Sequence, residues 1–237
     1  MRPRLSSIPP LAALGVLVVL GLDASALARQ GPSIGYGAFK LSGVETDCVV
    51  PRLAREGRGA AIMVGPEGGE PLSDDEARAA HDCASPALSA AYARSGNVSA
   101  ASYLDWANYS TAPYLSSTHG NRYVNNYANS IGGNYGQYEK GGELPVGTVL
   151  AKDSFVVNAR GTVMIGALSL MEKMSPGFNP KFGDWRYTMI LPDGTAIGTT
   201  GGAGAEKVAF CAGCHGTVDQ IQDSLFFVPK RYRIEAR

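Results

Sequence analysis

The 237-residue chain carries 21 Lys and Arg against 21 Asp and Glu, so its formal net charge at pH 7 is +0. This balance provides no strongly basic surface for nucleic acid or an anionic membrane, and the length suits one domain, or a small domain and a larger one. The 30 glycines favour turns and short strands over a helical bundle.

The N-terminal segment has the three parts of an export signal. Arg2 and Arg4 precede an apolar stretch over residues 11–22, and Ala26-Leu27-Ala28 provides the small residues of a cleavage site. We therefore expect residues 1–28 to be a cleaved signal peptide and the mature protein to be periplasmic or secreted. The apolar stretch is short for a membrane span, and an uncleaved N-terminal anchor is the alternative.

Residues 29–108 are predicted to form a helical and irregular extension without a catalytic constellation. The S-x-x-E sequence at residues 73–76 is a capping box, and it opens a helix that we expect Pro86 to interrupt. Cys48 and Cys83 are expected to form a disulfide, because an oxidising compartment favours it. Two reduced, buried cysteines are the alternative.

The composition changes at Tyr109, and residues 109–237 are predicted to form an α+β domain. A polar, aromatic segment from His119 to about Tyr138 is interpreted as a helix. Strand-like runs separated by turns follow, with the spacing of an antiparallel meander, at residues 148–157, 163–171, 185–191 and 195–199. The fold class is therefore α+β, with a mostly antiparallel β-sheet and a few helices.

The motif that carries chemistry is Cys211-Ala212-Gly213-Cys214-His215. C-x-x-C-H is the attachment sequence of a c-type haem, in which both thiols add to the haem vinyl groups and the histidine becomes the proximal iron ligand. A closed zinc site would need a second pair of ligands, and the other two cysteines are too far apart to form one. A redox dithiol would need a thioredoxin-like context, which is not visible. We predict one covalent haem c, held by Cys211, Cys214 and the metal ligand His215.

The sixth ligand of such a haem would have to come from upstream. Small all-helical cytochromes c take a methionine from beyond the motif, whereas all six methionines of this chain precede it. His119 is a candidate ligand, and an ordinary residue at the start of a helix is the alternative interpretation.

Six short segments follow one another in a fixed order: YVN at 123–125, PVGTVLAK at 145–152, MEK at 171–173, GDWRY at 183–187, FCAGCH at 210–215 and DSLFF at 223–227. Through them the region from about residue 110 to 237 resembles the cytochrome P460 family, which includes the cytochromes c′-β. The resemblance does not cover the N-terminal extension. It implies a mostly antiparallel β fold with haem c on the sheet, proximal His215, and a distal site that is open or water-filled.

The resemblance also implies roles for single residues. P460 enzymes link a lysine on the strand after the P-x-G-T turn to the haem edge, and Lys152 occupies that position. They oxidise hydroxylamine and handle nitric oxide, and a distal glutamate assists proton transfer. Ser169 aligns with that glutamate, and Glu172 nearby is expected to face the other way, since strand side chains alternate. The implied catalytic residues are therefore Lys152 and Ser169.

Two classes of function follow. The first class is a haem protein that binds a small ligand or acts as an oxidoreductase on hydroxylamine or nitric oxide. The second class is a low-spin periplasmic electron-transfer cytochrome in which both axial positions of the iron are filled. The missing downstream methionine and the family precedent favour the first class. The expected partners are a small nitrogen ligand and a periplasmic electron-transfer protein, with a homodimer as one assembly. A sensor or scaffold that uses the extension to bind a partner stays open.

Overall fold

The structure, a computed structural model, describes residues 43–57, 70–218 and 222–234. The predicted signal peptide, residues 1–28, lies outside this part of the chain. The described residues all belong to one compact unit. Within the described ranges, no helix is long and apolar enough to span a bilayer.

An antiparallel sheet dominates the described part of the chain. Its nine strands are β1 (Val44–Val49), β2 (Ala107–Asn108), β3 (Tyr114–Ser116), β4 (Arg122–Ala128), β5 (Val149–Val157), β6 (Thr162–Ile165), β7 (Leu168–Lys173), β8 (Trp185–Ile190) and β9 (Ala196–Thr199). The α-helices are α1 (Pro51–Glu56), α2 (Asp74–Ala93), α3 (Val98–Ser102) and α4 (Ala205–His215). Short 3₁₀ segments cover Tyr103–Asp105, Ser117–His119, Ser130–Lys140, Pro180–Phe182 and Lys230–Tyr232. This architecture confirms the α+β class with a mostly antiparallel sheet.

The long strand β5 organises the sheet. It pairs with β4 along one edge, and along the other edge with β6 and then β7, after which β8 and β9 follow. The sequence predicts one strand over 163–171, but the chain bends at Gly166, whose N–H donates to Ser154 O at 2.7 Å. A Cβ at Gly166 would collide with Ser154 Oγ, so this close approach requires glycine.

The segment that the sequence interprets as an extension contributes to the same sheet. β1 pairs with β6, and α2 packs over one sheet face through Leu88, Tyr92 and its buried alanines. The capping box is confirmed, because Ser73 Oγ accepts from Glu76 N at 3.3 Å and the Glu76 carboxylate accepts from Ser73 N at 2.9 Å.

Pro86 does not interrupt α2, contrary to the sequence prediction. The helix runs unbroken from Asp74 to Ala93 with Pro86 inside it. An interior proline costs about 3 kcal/mol, since it removes one backbone hydrogen bond and crowds the preceding turn. Burial of the apolar face of α2 on both sides of Pro86, by Ala80, Ala84 and Leu88, offsets that cost.

The predicted helix over residues 119–138 is wrong. Residues 122–128 form strand β4, and Ser130–Lys140 forms 3₁₀ turns. β4 is flanked on one side by β2 and β3 and on the other by β5, and its residues from Tyr123 to Ala128 are all buried. Pairing on both edges overrides the weak local preference of this polar, aromatic segment.

Cys48 of β1 and Cys83 of α2 form the expected disulfide across 35 residues of sequence. The bond joins the edge of the sheet to the helix that covers it. The two cysteines are therefore not the reduced, buried pair that the sequence left open.

Replacing Cys48 and Cys83 together with Ser should lower the free energy of unfolding by about 3–4 kcal/mol, because an uncrosslinked unfolded chain gains conformational entropy. The melting temperature measures this loss. Dithiothreitol should lower the melting temperature of the unmodified protein similarly and leave that of the variant unchanged. Equal melting temperatures for variant and unmodified protein would contradict the expectation.

Candidate cofactor site

A cavity lies on the face of the sheet opposite α2. It encloses about 770 Å³ of empty space, which includes open solvent at its mouth. Its polar and titratable lining consists of Thr118, His119, Asn126, Tyr127, Tyr135, Lys152, Ser169, Tyr187, Thr188, Cys211, Cys214 and His215. The structure thus brings every candidate site residue of the sequence analysis to one cavity.

Helix α4 forms one wall of this cavity. It starts after Gly204, whose φ is +66°, and it contacts β8 and β9. A Cβ at Gly198 of β9 would collide with Gly204 O, so the start of the helix rests directly on the backbone of the strand. Val208 and Ala212 are buried in the core, whereas Cys211, Cys214 and His215 line the cavity. The spacing i, i+3, i+4 places these three side chains on one helix face.

The ring of His215 is held in one tautomer. Its Nδ1 lies 2.9 Å from Ser224 O, and because a carbonyl can only accept, Nδ1 carries the proton and Nε2 keeps its lone pair. Burial lowers the pKa of His215 to about 4, against the opposing effect of the Ser224 hydrogen bond, so the ring is neutral at pH 7. The rings of Tyr187 and Phe226 lie 5.4 and 5.2 Å away between centroids.

The two motif thiols are free and poorly suited to redox exchange. Burial raises the pKa of Cys211 to about 12 and also raises the pKa of Cys214. A redox-active dithiol depends on the opposite change, a lowered pKa of the attacking thiol. Over residues 43–57, 70–218 and 222–234, no group of three or more His, Cys, Asp or Glu side chains is placed to hold a bare metal ion.

The sheet provides the other wall. Lys152 on β5 lies directly opposite Ser169 on β7 in the strand register, with Asn126 of β4 on its other side. Burial lowers the pKa of Lys152 to about 8. Glu172 does not line the cavity and pairs instead with Arg186 at 3.3 Å, as strand alternation predicts.

His119 reaches the same cavity from the short 3₁₀ turn before β4. Its Nδ1 lies 3.0 Å from Ser116 Oγ and 3.1 Å from Thr118 Oγ1. Burial, followed by the charges of Lys152 and His215, holds the pKa of His119 well below its usual range. His119 and His215 are therefore two neutral imidazoles at one cavity.

Sequence reasoning missed several polar residues of the lining, among them Asn126 and Tyr187. Asn126 is held between Tyr114 OH, which donates to its carbonyl at 2.8 Å, and Tyr135 OH, which accepts from its amide at 2.7 Å. The hydroxyl of Tyr187 is buried and has no hydrogen-bond partner among the described residues. If residues 122–128 are taken as a strand, in which side chains alternate between the two faces, Asn126 falls on one sheet face. The sequence analysis interprets this segment as a helix instead.

The donor set fits a covalently attached haem. Two thiols and one imidazole with an available Nε2 line a cavity that also has apolar walls, formed by Leu150, Met171, Phe210, Leu225 and Phe226. Tyr187 also lines that space, and its buried hydroxyl has no hydrogen-bond partner within the described residues, although buried polar groups seldom stay unpaired.

A scan against models of known protein families finds no match for this chain, and a search of curated proteins finds no relative.

Proposed function

We propose that the protein is an exported c-type haem protein of the cytochrome P460 type, which binds nitric oxide or hydroxylamine at an open distal site. The observation that carries this proposal is the convergence of Cys211, Cys214 and His215 on one cavity, with Nδ1 of His215 bonded to a carbonyl. The haem, when bound, supplies a redox-active iron with a position for a small ligand.

The chain's own residues have distinct tasks in this proposal. Cys211 and Cys214 would hold the group through thioether bonds, and His215 would donate its Nε2 lone pair to the iron. Lys152 projects into the same cavity from the middle of β5 and is the residue proposed to link to the haem edge. Asn126, fixed by two tyrosines, is a rigid hydrogen-bonding group beside Lys152.

Proton transfer distinguishes binding from catalysis at this site. Hydroxylamine oxidation removes protons as well as electrons, so a base within hydrogen-bond reach accelerates it. Ser169 lies directly across from Lys152 but has no useful basicity near pH 7. The protein should therefore bind nitric oxide or hydroxylamine and oxidise hydroxylamine slowly.

Ser169→Glu should raise hydroxylamine turnover about 10²-fold if Lys152 is linked to the haem, because a positioned base typically contributes 10²–10⁴-fold. Ser169→Gln is the matched control, since it has the same shape without the basicity. Without the Lys152 link, the Glu substitution should change the turnover little. Mass spectrometry of tryptic peptides shows whether the Lys152 peptide and the haem peptide are covalently joined, because a joined pair has their combined mass. Rapid oxidation by the unmodified protein, or an equal gain from Gln, would contradict this prediction.

A second candidate function is electron transfer with both axial positions filled. The observation in its favour is that His119 lines the same cavity as His215 and has its Nδ1 held by two hydroxyl groups. Such a histidine is oriented to use Nε2 as a ligand.

The ferric optical spectrum separates the two candidates. An open distal site gives a high-spin spectrum at neutral pH, and nitric oxide then binds the ferrous form without displacing a protein ligand. A low-spin spectrum that becomes high-spin in His119→Leu, and not in Ser117→Ala, a control at an exposed residue of the same turn that does not line the cavity, would favour the electron carrier.

A further inference from the structure

The hydrogen-bond acceptor of His215 lies in a strained turn. Asp223 and Ser224 have φ of +53° and +57°, in the left-handed region that residues with a side chain seldom adopt. Two such residues in succession persist only where their surroundings hold them there. The turn presents Ser224 O to Nδ1 of His215 at 2.9 Å.

The Asp223 side chain fastens this turn to its surroundings. Its Oδ1 accepts from Lys173 Nζ at 2.6 Å, and its Oδ2 accepts from Leu144 N at 2.9 Å. The Trp185 indole N–H donates to Asp223 O at 2.9 Å, so the backbone of the turn is held as well. Asp223 is 4 % exposed, and these contacts are therefore shielded from water.

The ammonium group of Lys173, which binds Asp223, is itself buried and held in place. Lys173 ends β7, directly opposite Trp185 of β8, and its side chain is 3 % exposed. Its ammonium lies 5.3 Å from the Trp185 ring centroid and 3.0 Å from the exposed carboxylate of Glu143. A buried ion pair can often be replaced by apolar residues of similar volume without loss of stability. Stability alone therefore does not account for the Lys173–Asp223 pair, and fixing the geometry of the turn is the role that we consider.

We propose that Lys173, Asp223 and Trp185, together the proximal anchor, are positioning residues for His215. They fix the Ser224 carbonyl and thereby set the orientation and the basicity of the imidazole. A hydrogen bond from the far nitrogen of a ligating histidine raises its strength as a ligand. The inference rests on the proposed function, because it takes His215 as the proximal ligand.

The double variant Lys173→Met with Asp223→Asn tests this role. Both charges are removed together, because a single substitution would leave the other charge buried and could prevent folding. Resonance Raman spectroscopy of the ferrous holoprotein measures the iron–histidine stretching frequency. We expect the frequency to fall and the band to broaden in the double variant, and the reduction potential to rise, as a weaker donor stabilises the ferric state less.

Arg186→Met is the matched control. It breaks the ion pair with Glu172, which lies next to the Lys173 and Trp185 pair on β7 and β8, without touching the turn. It should leave the frequency unchanged. A double variant that melts at a lower temperature but keeps the unmodified frequency and potential would show a merely structural role and overturn the proposal.

The haem content of the unmodified protein is measured first, so failure of the proposed function is recognised separately. If the purified protein carries no haem, ¹⁵N NMR of the His215 ring in that protein replaces the Raman measurement. The anchor predicts one Nδ1–H tautomer in the unmodified protein and a mixture of tautomers in the double variant. The same single tautomer in both would overturn the anchor, whatever the cofactor.

Discussion

In the absence of a Lys152 link, replacing Cys211 and Cys214 together with Ala should give a folded, exported protein from which acid–acetone removes all haem. The thioether bonds are the only covalent attachment that these residues provide, and Ala leaves His215 and the cavity in place. The helix itself should survive, since its buried contacts with the core are made by Val208 and Ala212. Absorbance of the protein fraction after extraction measures the effect.

The control for this variant is the pair Cys48→Ser and Cys83→Ser. It also removes two cysteines, but neither lines the cavity. It should therefore keep its haem through extraction while losing stability. A Cys211→Ala, Cys214→Ala protein that keeps colour after acid–acetone would contradict the attachment, unless the Lys152 link alone holds the haem. Adding Lys152→Leu to that variant removes this exception.

Asp153→Asn should lower the free energy of unfolding by about 3–5 kcal/mol, the usual cost of breaking a buried ion pair by removing one partner. Asp153 is fully buried, and its Oδ2 lies 2.8 Å from His81 Nε2 and accepts from Tyr103 OH at 3.2 Å. Tyr127 OH also lies 3.2 Å from His81 Nε2. Urea unfolding at about pH 6 measures this loss.

The same pair makes stability depend on pH. Burial lowers the pKa of His81, but the charge of Asp153 and the hydrogen bond to it outweigh burial and hold the pKa above the ordinary 6.5. The folded protein therefore binds the proton more tightly than the unfolded chain. The resulting stabilisation is complete below about pH 6.5 and is lost as the pH rises through the raised pKa of His81.

Asp153→Asn should abolish this component of the pH dependence above about pH 6.5. Asp82→Asn is the control, because Asp82 lies 4.0 Å from His81 Nδ1 but its side chain is 82 % exposed, so solvent screens its charge. The control should keep nearly all of the unmodified profile. Identical slopes for Asp153→Asn and the unmodified protein would show that the buried ring is neutral.

Local patterns in the sequence predict most of the sheet that carries the site. The segments that become β5, β8 and β9 are strand-like runs that lie between turn sequences. The capping box at Ser73 is contained within four residues. The C-x-x-C-H motif lies on one helix end, so its geometry is local as well. Lys152 lies on β5 and Ser169 on β7, and the pairing of these two strands places the two residues side by side.

The features that sequence reasoning missed depend on distant pairings. His81 meets Asp153 across 72 residues, and Lys173 meets Asp223 across 50. Nothing in the local pattern around either pair indicates its partner. β4 was missed for the same reason, since its strand structure comes from pairing on both edges rather than from its own residues.

The covalent haem is the central claim, and acid–acetone extraction of the mature protein tests it most directly. The protein should be produced in a host that exports it and attaches c-type haem, and its pyridine haemochrome spectrum recorded before and after extraction. We expect the colour to stay with the protein, at one haem per chain, with the spectrum of a haem whose two vinyl groups have become thioethers. Haem that extracts freely, or zinc in place of iron, would contradict the account.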